Sequence, residues 1–262
     1  MPVLCQKDGH VATITLSRPE ARNAWADDFT SGLVDHLKNL EDDEDVWCVI
    51  LTGDEAGGAF SAGADMKRTD THVVNSTSDF IRNLPKRKNH PVTALAAFPK
   101  PIVAAVNGYA VGIGCILTYC CDLIVASDRA EWRLPQSRLG IVPAHGGSVR
   151  LARWVGKGTA MRLALGFPLK AEEALRVGLA QWLVPHDELM GQAMEIAQQI
   201  ASQPPLTTRL VKESLNLGLE MPSADLAAHL DMYRFFALEA TEDKKEGHAA
   251  AREKRKPHFK GR

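Results

Sequence analysis

The stretch Phe60-Ser61-Ala62-Gly63-Ala64-Asp65, answered further along by Asn107-Gly108-Tyr109-Ala110-Val111-Gly112-Ile113-Gly114, carries the most weight in reading this chain. Each segment is a glycine-punctuated turn entered from an apolar strand and leading into a helix. Two such turns can aim two backbone N–H groups at one point, which is how a protein holds an oxygen while negative charge grows on it. Taken singly, each also reads as a tight connection with no ligand. Ala62-Gly63-Ala64 is small enough for a ligand to lie against the main chain, and Asp65 reads as the cap of a helix whose N–H groups face that ligand. Ile113 is β-branched and restricted to negative φ, so the second turn must be helical already at that residue.

Outward from these turns the chain alternates strand, loop and helix. His10 to Leu16 alternates with period two as a half-buried strand, and Ser17-Arg18-Pro19-Glu20 ends it. From Asp27 to Leu40, Phe29, Leu33, Val34, Leu37 and Leu40 recur at helical spacing. Val46 to Leu51 is a continuous apolar run, as expected of a parallel strand covered on both faces. Further strands are expected at Ile102 to Val106, Leu123 to Ala126, Ala130 to Leu134 and Ala180 to Val184. Helices are expected over Gly112 to Cys121, from Gly146 through Trp154, and over Ala171 to Val177. This order means an α/β core of βαβ type.

Composition shifts at Ser202-Gln203-Pro204-Pro205, beyond which only helical periodicity remains: Leu206 to Leu219, Ala224 to Ala240, and a charged helix from about Thr241. The division is therefore a core over 1–203 and a helical region over 204–262. The apolar stripe Leu226, Leu230, Tyr233, Phe236 needs covering, and a neighbouring subunit is the expected cover. Residues 67–94, with the basic cluster Lys86-Arg87-Lys88, lack clean periodicity and read as a mobile wall of the site.

Apolar residues make up 45% of the 262, enough for a sizeable core, and the net charge of −1 gives no field that would gather nucleic acid. The basic tail from Arg252 to Arg262 reads as a solvated helix end or as a phosphate contact. Five cysteines with no Cys-x-x-Cys pair form no disulfide framework, and most lie in apolar runs, so a reducing compartment is expected. Neither a signal peptide nor a membrane-spanning run is apparent, and the expected location is the cytoplasm.

Five linked motifs carry a resemblance. They are Arg18 to Ala24, Phe60 to Lys67, Lys100 to Gly108, Gly140-Ile141-Val142-Pro143-Ala144-His145-Gly146-Gly147, and Pro257-His258-Phe259-Lys260. In order and spacing the chain resembles the crotonase (enoyl-CoA hydratase/isomerase) superfamily. The resemblance implies a spiral β/α core with a helical C-terminal trimerisation region, assembled as a homotrimer or a dimer of trimers. It implies an acyl-CoA thioester as ligand, with coenzyme A part of the substrate and no separate cofactor. Ala64 N–H and Ile113 N–H fall on the two oxyanion-hole positions. Ala62, Ala64, Asp65, Met66 and Lys67 match the acyl-CoA contact run, and Arg18, Arg22 and Ala24 match the loop along which pantetheine and nucleotide lie. Lys67 and Lys260 are candidates for CoA phosphates, the latter from a neighbouring subunit, and Asp122 matches a structural aspartate.

The departures matter as much. Hydratases of this family use two glutamates on one water, general acid/base work worth roughly 10²–10⁴ in rate. Ile116 and Gln136 fall on those positions here, and Ala144 falls where some relatives place an aspartate. Isoleucine moves no proton, and a glutamine amide hydrogen-bonds but is no base. His145 is the candidate replacement, against which stands a plain role in the loop. Asp65 and Glu131 read first as a cap and a surface charge, and Tyr109 and Trp132 as pocket walls. No Gly-x-Ser-x-Gly elbow surrounds Ser61 or Ser148, and no metal-ligand spacing appears among the nine histidines. Three readings stay open: a lyase or isomerase on an acyl-CoA, a non-catalytic acyl-CoA carrier or regulator, and a thioester hydrolase of the same fold.

Overall fold

The computed structural model describes residues 2–67, 78 and 90–262. Two sheets form its centre. The larger has the order β1 (Val3–Asp8), β2 (Val11–Leu16), β3 (Cys48–Gly53), β5 (Ile102–Val106), β7 (Leu123–Ser127) and β10 (Trp182–Val184). It is parallel from β2 onward, and β1 pairs antiparallel with β2. The smaller runs β4 (Ala59–Ser61), β6 (Tyr109–Val111), β8 (Glu131–Arg133) and β9 (Leu169–Lys170), with β4, β6 and β8 parallel.

The apolar run at β3 has the cause expected of it. Val49 and Leu51 face a core shared with Phe29, Leu33 and Leu37 of α1 (Asp27–Asp42), whereas Cys48 and Ile50 face Leu189, Ala193, Ile196 and Ala197 of α6 (Leu189–Ala201). With both faces covered, no position is left for a polar residue to alternate into.

The remaining helices are α2 (Pro91–Ala97), α3 (Ile113–Thr118), α4 (Gly147–Ala164), α5 (Ala171–Arg176), α7 (Pro205–Gly218), α8 (Ala224–Leu238) and α9 (Glu242–Glu253). α3 is shorter than its periodicity predicts, because the Thr118 hydroxyl turns back onto the Cys115 carbonyl and the chain bends through Tyr119 to Cys121. α4 runs ten residues past Trp154, through a break at Gly156 (φ 74°, ψ 164°) that the glycine makes tolerable. Two strands give no usable signal in the sequence. β1 is an edge strand with one face open, so its Gln6-Lys7-Asp8 end looks like a loop, and β9 has two residues. The wall expected at 67–94, including Lys86 to Lys88, lies mostly outside the described residues; its end is α2.

The C-terminal tail folds back on α9. Buried Asp243 accepts from Lys260 N–H (2.7 Å) and Gly261 N–H (2.8 Å), Arg255 pairs with Glu246 and Glu253, and Arg262 faces Glu242. The basic run is thus largely answered by the acids of its own helix. All five cysteines are free thiols; four are buried, and burial pushes Cys48 and Cys120 up to about 12.

Candidate active site

Three neighbouring parallel strands, β4, β6 and β8, end on the same side of the small sheet. From their carboxyl ends they deliver Ala64, Ile113 and Gln136 in turn. Sites in parallel sheets form at such ends, where successive loops open side by side.

The first loop is set by Trp25. Its N–H donates to Gly63 C=O (2.7 Å), and its C=O accepts from Asp65 N–H (2.8 Å). In a parallel bridge of this kind the residue between the two bonded ones turns its own N–H away. That residue is Ala64, and it is exposed. Gly63 takes φ +87°, and a Cβ there would sit 2.9 Å from Val111 C=O, so only glycine allows the two loops to approach this closely. Ser61 is buried, its Oγ accepting from Gly63 N–H at 3.3 Å.

The second loop is held by Gly112, whose N–H donates to Arg133 C=O (2.9 Å) on β8 and whose φ of +55° reverses the chain into α3. Ile113 is the first residue of that helix, so its N–H has no intrahelical partner. Helical conformation therefore begins at Ile113, as its β-branch requires. One point in space, where a Gly112 Cβ would lie, is 3.6 Å from Gln136 Nε2 and 3.9 Å from Gly63 Cα. Ala64, Ile113 and Gln136 are thus delivered to one place.

Other predicted residues have different surroundings. Arg18 is an internal strut, donating to Ala24 C=O (2.8 Å) and to Asp65 Oδ2 (3.0 Å) with only 12% of its side chain exposed. Asp65 also caps the next turn, Oδ1 accepting from Lys67 N–H at 3.1 Å. Ala24 is buried, Ala62 is half-buried, and Arg22, Met66 and Lys67 are exposed. Ile116 is 4% exposed and lies under Gly147, where a Cβ would meet its Cδ1 at 2.8 Å. His145 adopts φ +56° and stacks on His90, ring centroids 3.5 Å apart, at the entry to α2. Lys260 faces Glu242 at 3.5 Å, at the start of α9. Glu131 pairs with Arg133, whose guanidinium lies over the Tyr109 ring. Trp132 is not a pocket wall: it is fully buried and donates to Thr118 Oγ at 3.0 Å.

Asn23 was legible only as part of a motif. It is fully buried at φ +54°; its amide donates to Asp54 C=O (2.9 Å) and Ala59 C=O (2.8 Å), and its Oδ1 accepts from Arg18 N–H (3.0 Å). It thereby ties the Arg18 loop to β4. The signal was an Asn in a turn, a residue type that tolerates left-handed φ.

Two cavities, of 520 and 750 Å³, lie elsewhere, between α7 and the segments around α2 and α3. Neither is lined by Ala64, Ile113, Gln136 or His145. Among the described residues no group of three or more His, Cys, Asp or Glu side chains could hold a metal ion, and no helix is long and apolar enough to cross a membrane.

The family model described as enoyl-CoA hydratase/isomerase matches residues 6–262. A probable mitochondrial enoyl-CoA hydratase of Dictyostelium discoideum is 38% identical over 253 residues, covering 96% of this chain and 88% of the relative. The 2,3-dehydroadipyl-CoA hydratase of Escherichia coli K12 is 35% identical, covering 99% of each. Among solved structures, an enoyl-CoA hydratase subunit from Geobacillus kaustophilus superposes with a TM-score of 0.90 at 34% identity, covering 100% of this chain and 99% of the other. This chain belongs to the enoyl-CoA hydratase/isomerase family, within the crotonase superfamily.

Proposed function

We propose that this protein is a cytoplasmic enzyme acting on an acyl-CoA thioester, of the lyase or isomerase type, with Ala64 N–H and Ile113 N–H holding the thioester oxygen. The observation that carries the reading is the Trp25 bracket, which turns the Ala64 amide away from its own sheet and beside the loop that starts α3. As a thioester becomes an enolate, charge gathers on that oxygen. A donor fixed in place stabilises it without reorganising, and one such donor is worth about 10²–10³ in rate.

The chain's own side chains supply little acid or base. Ile116 is packed under Gly147, and Gln136 presents an amide. Proton transfer then falls to His145 or to a water placed by Gln136, and the rate forgoes much of what a glutamate pair contributes. Among the described residues, Arg22 and Lys67 are exposed cations along the CoA path; Arg18 and Asp65 hold each other and shape that path. Lys260 is assigned to a CoA phosphate held by a neighbouring subunit, and the exposed apolar face of α8 is the surface on which such a subunit, in a trimer or a dimer of trimers, would pack.

The test is incubation with a panel of enoyl-CoAs, following loss of the enoyl thioester chromophore and release of free thiol. Conversion without thiol release supports this reading, and thiol release makes the protein a thioester hydrolase. The buried, apolar Ile116 favours a second reading, a non-catalytic acyl-CoA carrier. Tight acyl-CoA binding with no turnover on any member of the panel selects it.

A further inference from the structure

The Gln136 side chain lacks a hydrogen-bond partner among the described residues, although its backbone is firmly held, the carbonyl accepting from Ile141 N–H at 3.1 Å and from Gly140 N–H. Its Oε1 is shielded from water and receives no donor. Its Nε2 faces Gly112, close to Gly63, the two glycines that immediately precede Ile113 and Ala64. Turning the amide over would bury an NH₂ group with no acceptor, a rarer arrangement than an under-satisfied carbonyl oxygen. The nitrogen is therefore the end that points toward the loops.

Resting on the acyl-CoA reading above, we infer that Gln136 is a specificity-determining donor that takes an acceptor oxygen on the acyl group close to the thioester carbonyl. The ligand class is a 3-oxoacyl-CoA. A ketone oxygen only accepts, so Nε2–H satisfies it fully. A 3-hydroxyl carries a hydrogen that needs an acceptor of its own, which Nε2 does not supply. An unsubstituted acyl chain would leave the amide nitrogen without a partner in a site closed by the ligand. A glutamate at 136 would turn lone pairs toward the same oxygen and repel it, so the amide reverses the preference with almost no change in shape.

The test is calorimetric titration of the full-length protein with acetoacetyl-CoA and butyryl-CoA, which differ by that one oxygen. Acetoacetyl-CoA should bind about tenfold tighter, the yield of one neutral hydrogen bond. The ratio should fall to near one in Gln136→Met and below one in Gln136→Glu, the second guarding against misfolding of the first. Equal affinities in the wild type, or a ratio that survives both substitutions, overturn the inference while leaving acyl-CoA binding intact. If neither thioester binds the wild type, the acyl-CoA reading falls and takes this inference with it.

Discussion

Lys212 Nζ lies 2.7 Å from Asp122 Oδ2, and the same ammonium donates to Lys100 C=O at 2.9 Å. Asp122 also accepts from Ile102 N–H at 2.7 Å. One buried ion pair thus fastens α7 to the start of β5 and the start of β7. Burial pushes the Asp122 carboxyl above its ordinary value, and the Lys212 ammonium opposes that push. Lys212→Met removes the opposition and leaves a buried carboxylate alone, which should cost about 3 kcal/mol in urea unfolding. The carboxyl then holds its proton to still higher pH, so the deficit should shrink on acidification and grow as pH rises. The double variant with Asp122→Leu should recover much of the loss.

Lys100 is fully buried, and its Nζ donates to Asp43 C=O at 2.6 Å and to Leu40 C=O, closing the carbonyl end of α1. Burial, with Arg209 adding to it, pulls this ammonium down to about 8. Between there and the ordinary lysine value of about 10.4 the unfolded chain binds more protons, so stability climbs with pH across that window. Compared with Lys100→Met, the wild type should gain about 1 kcal/mol per pH unit there and nothing below it. Denaturation of both proteins at a series of pH values measures the difference. A flat difference would mean that the two carbonyls hold the proton at its ordinary strength.

Gly63→Ala tests the approach of the two loops. A Cβ there meets Val111 C=O at 2.9 Å in a left-handed backbone, whereas at Gly9, φ +57°, it meets nothing within 4 Å. Both substitutions strain φ by about 1 kcal/mol, but only the first forces the Ala64 turn off Gly112. Gly63→Ala should lower acyl-CoA affinity at least tenfold, and Gly9→Ala should leave it alone.

Asn23→Ala removes the amide that satisfies Asp54 C=O, Ala59 C=O and Arg18 N–H. Unpaired buried groups cost about 1–3 kcal/mol each when nothing replaces the partner. A thermal midpoint lowered by less than a degree would show that water fills the gap.

On α8, Tyr233 is 72% and Phe236 61% exposed. An apolar face this open is expected to be covered by another copy of the chain. Sedimentation of Tyr233→Lys combined with Phe236→Glu should show smaller particles than the wild type. Equal sedimentation would remove α8 from the interface.

Periodicity and composition alone determined much of this protein. The run at β3 had to be a strand covered on both faces, because every residue in it is apolar. The stripe of α1 had to face a core, and glycines between small residues had to be turns of close approach. The family resemblance, not periodicity, put Ile116 and Gln136 on the two glutamate positions, where neither side chain can act as a carboxylate. Tertiary structure decided what depends on partners distant in the chain. It made Arg18 and Asp65 a strut, paired His145 with His90, gave Asn23 its three bonds, placed Trp132 in the core, and left the Gln136 amide unsatisfied beside Gly112. The reason is physical. Local sequence sets backbone conformation and which face is apolar, whereas the partner of a polar group is whatever the packing of other strands brings within 3 Å.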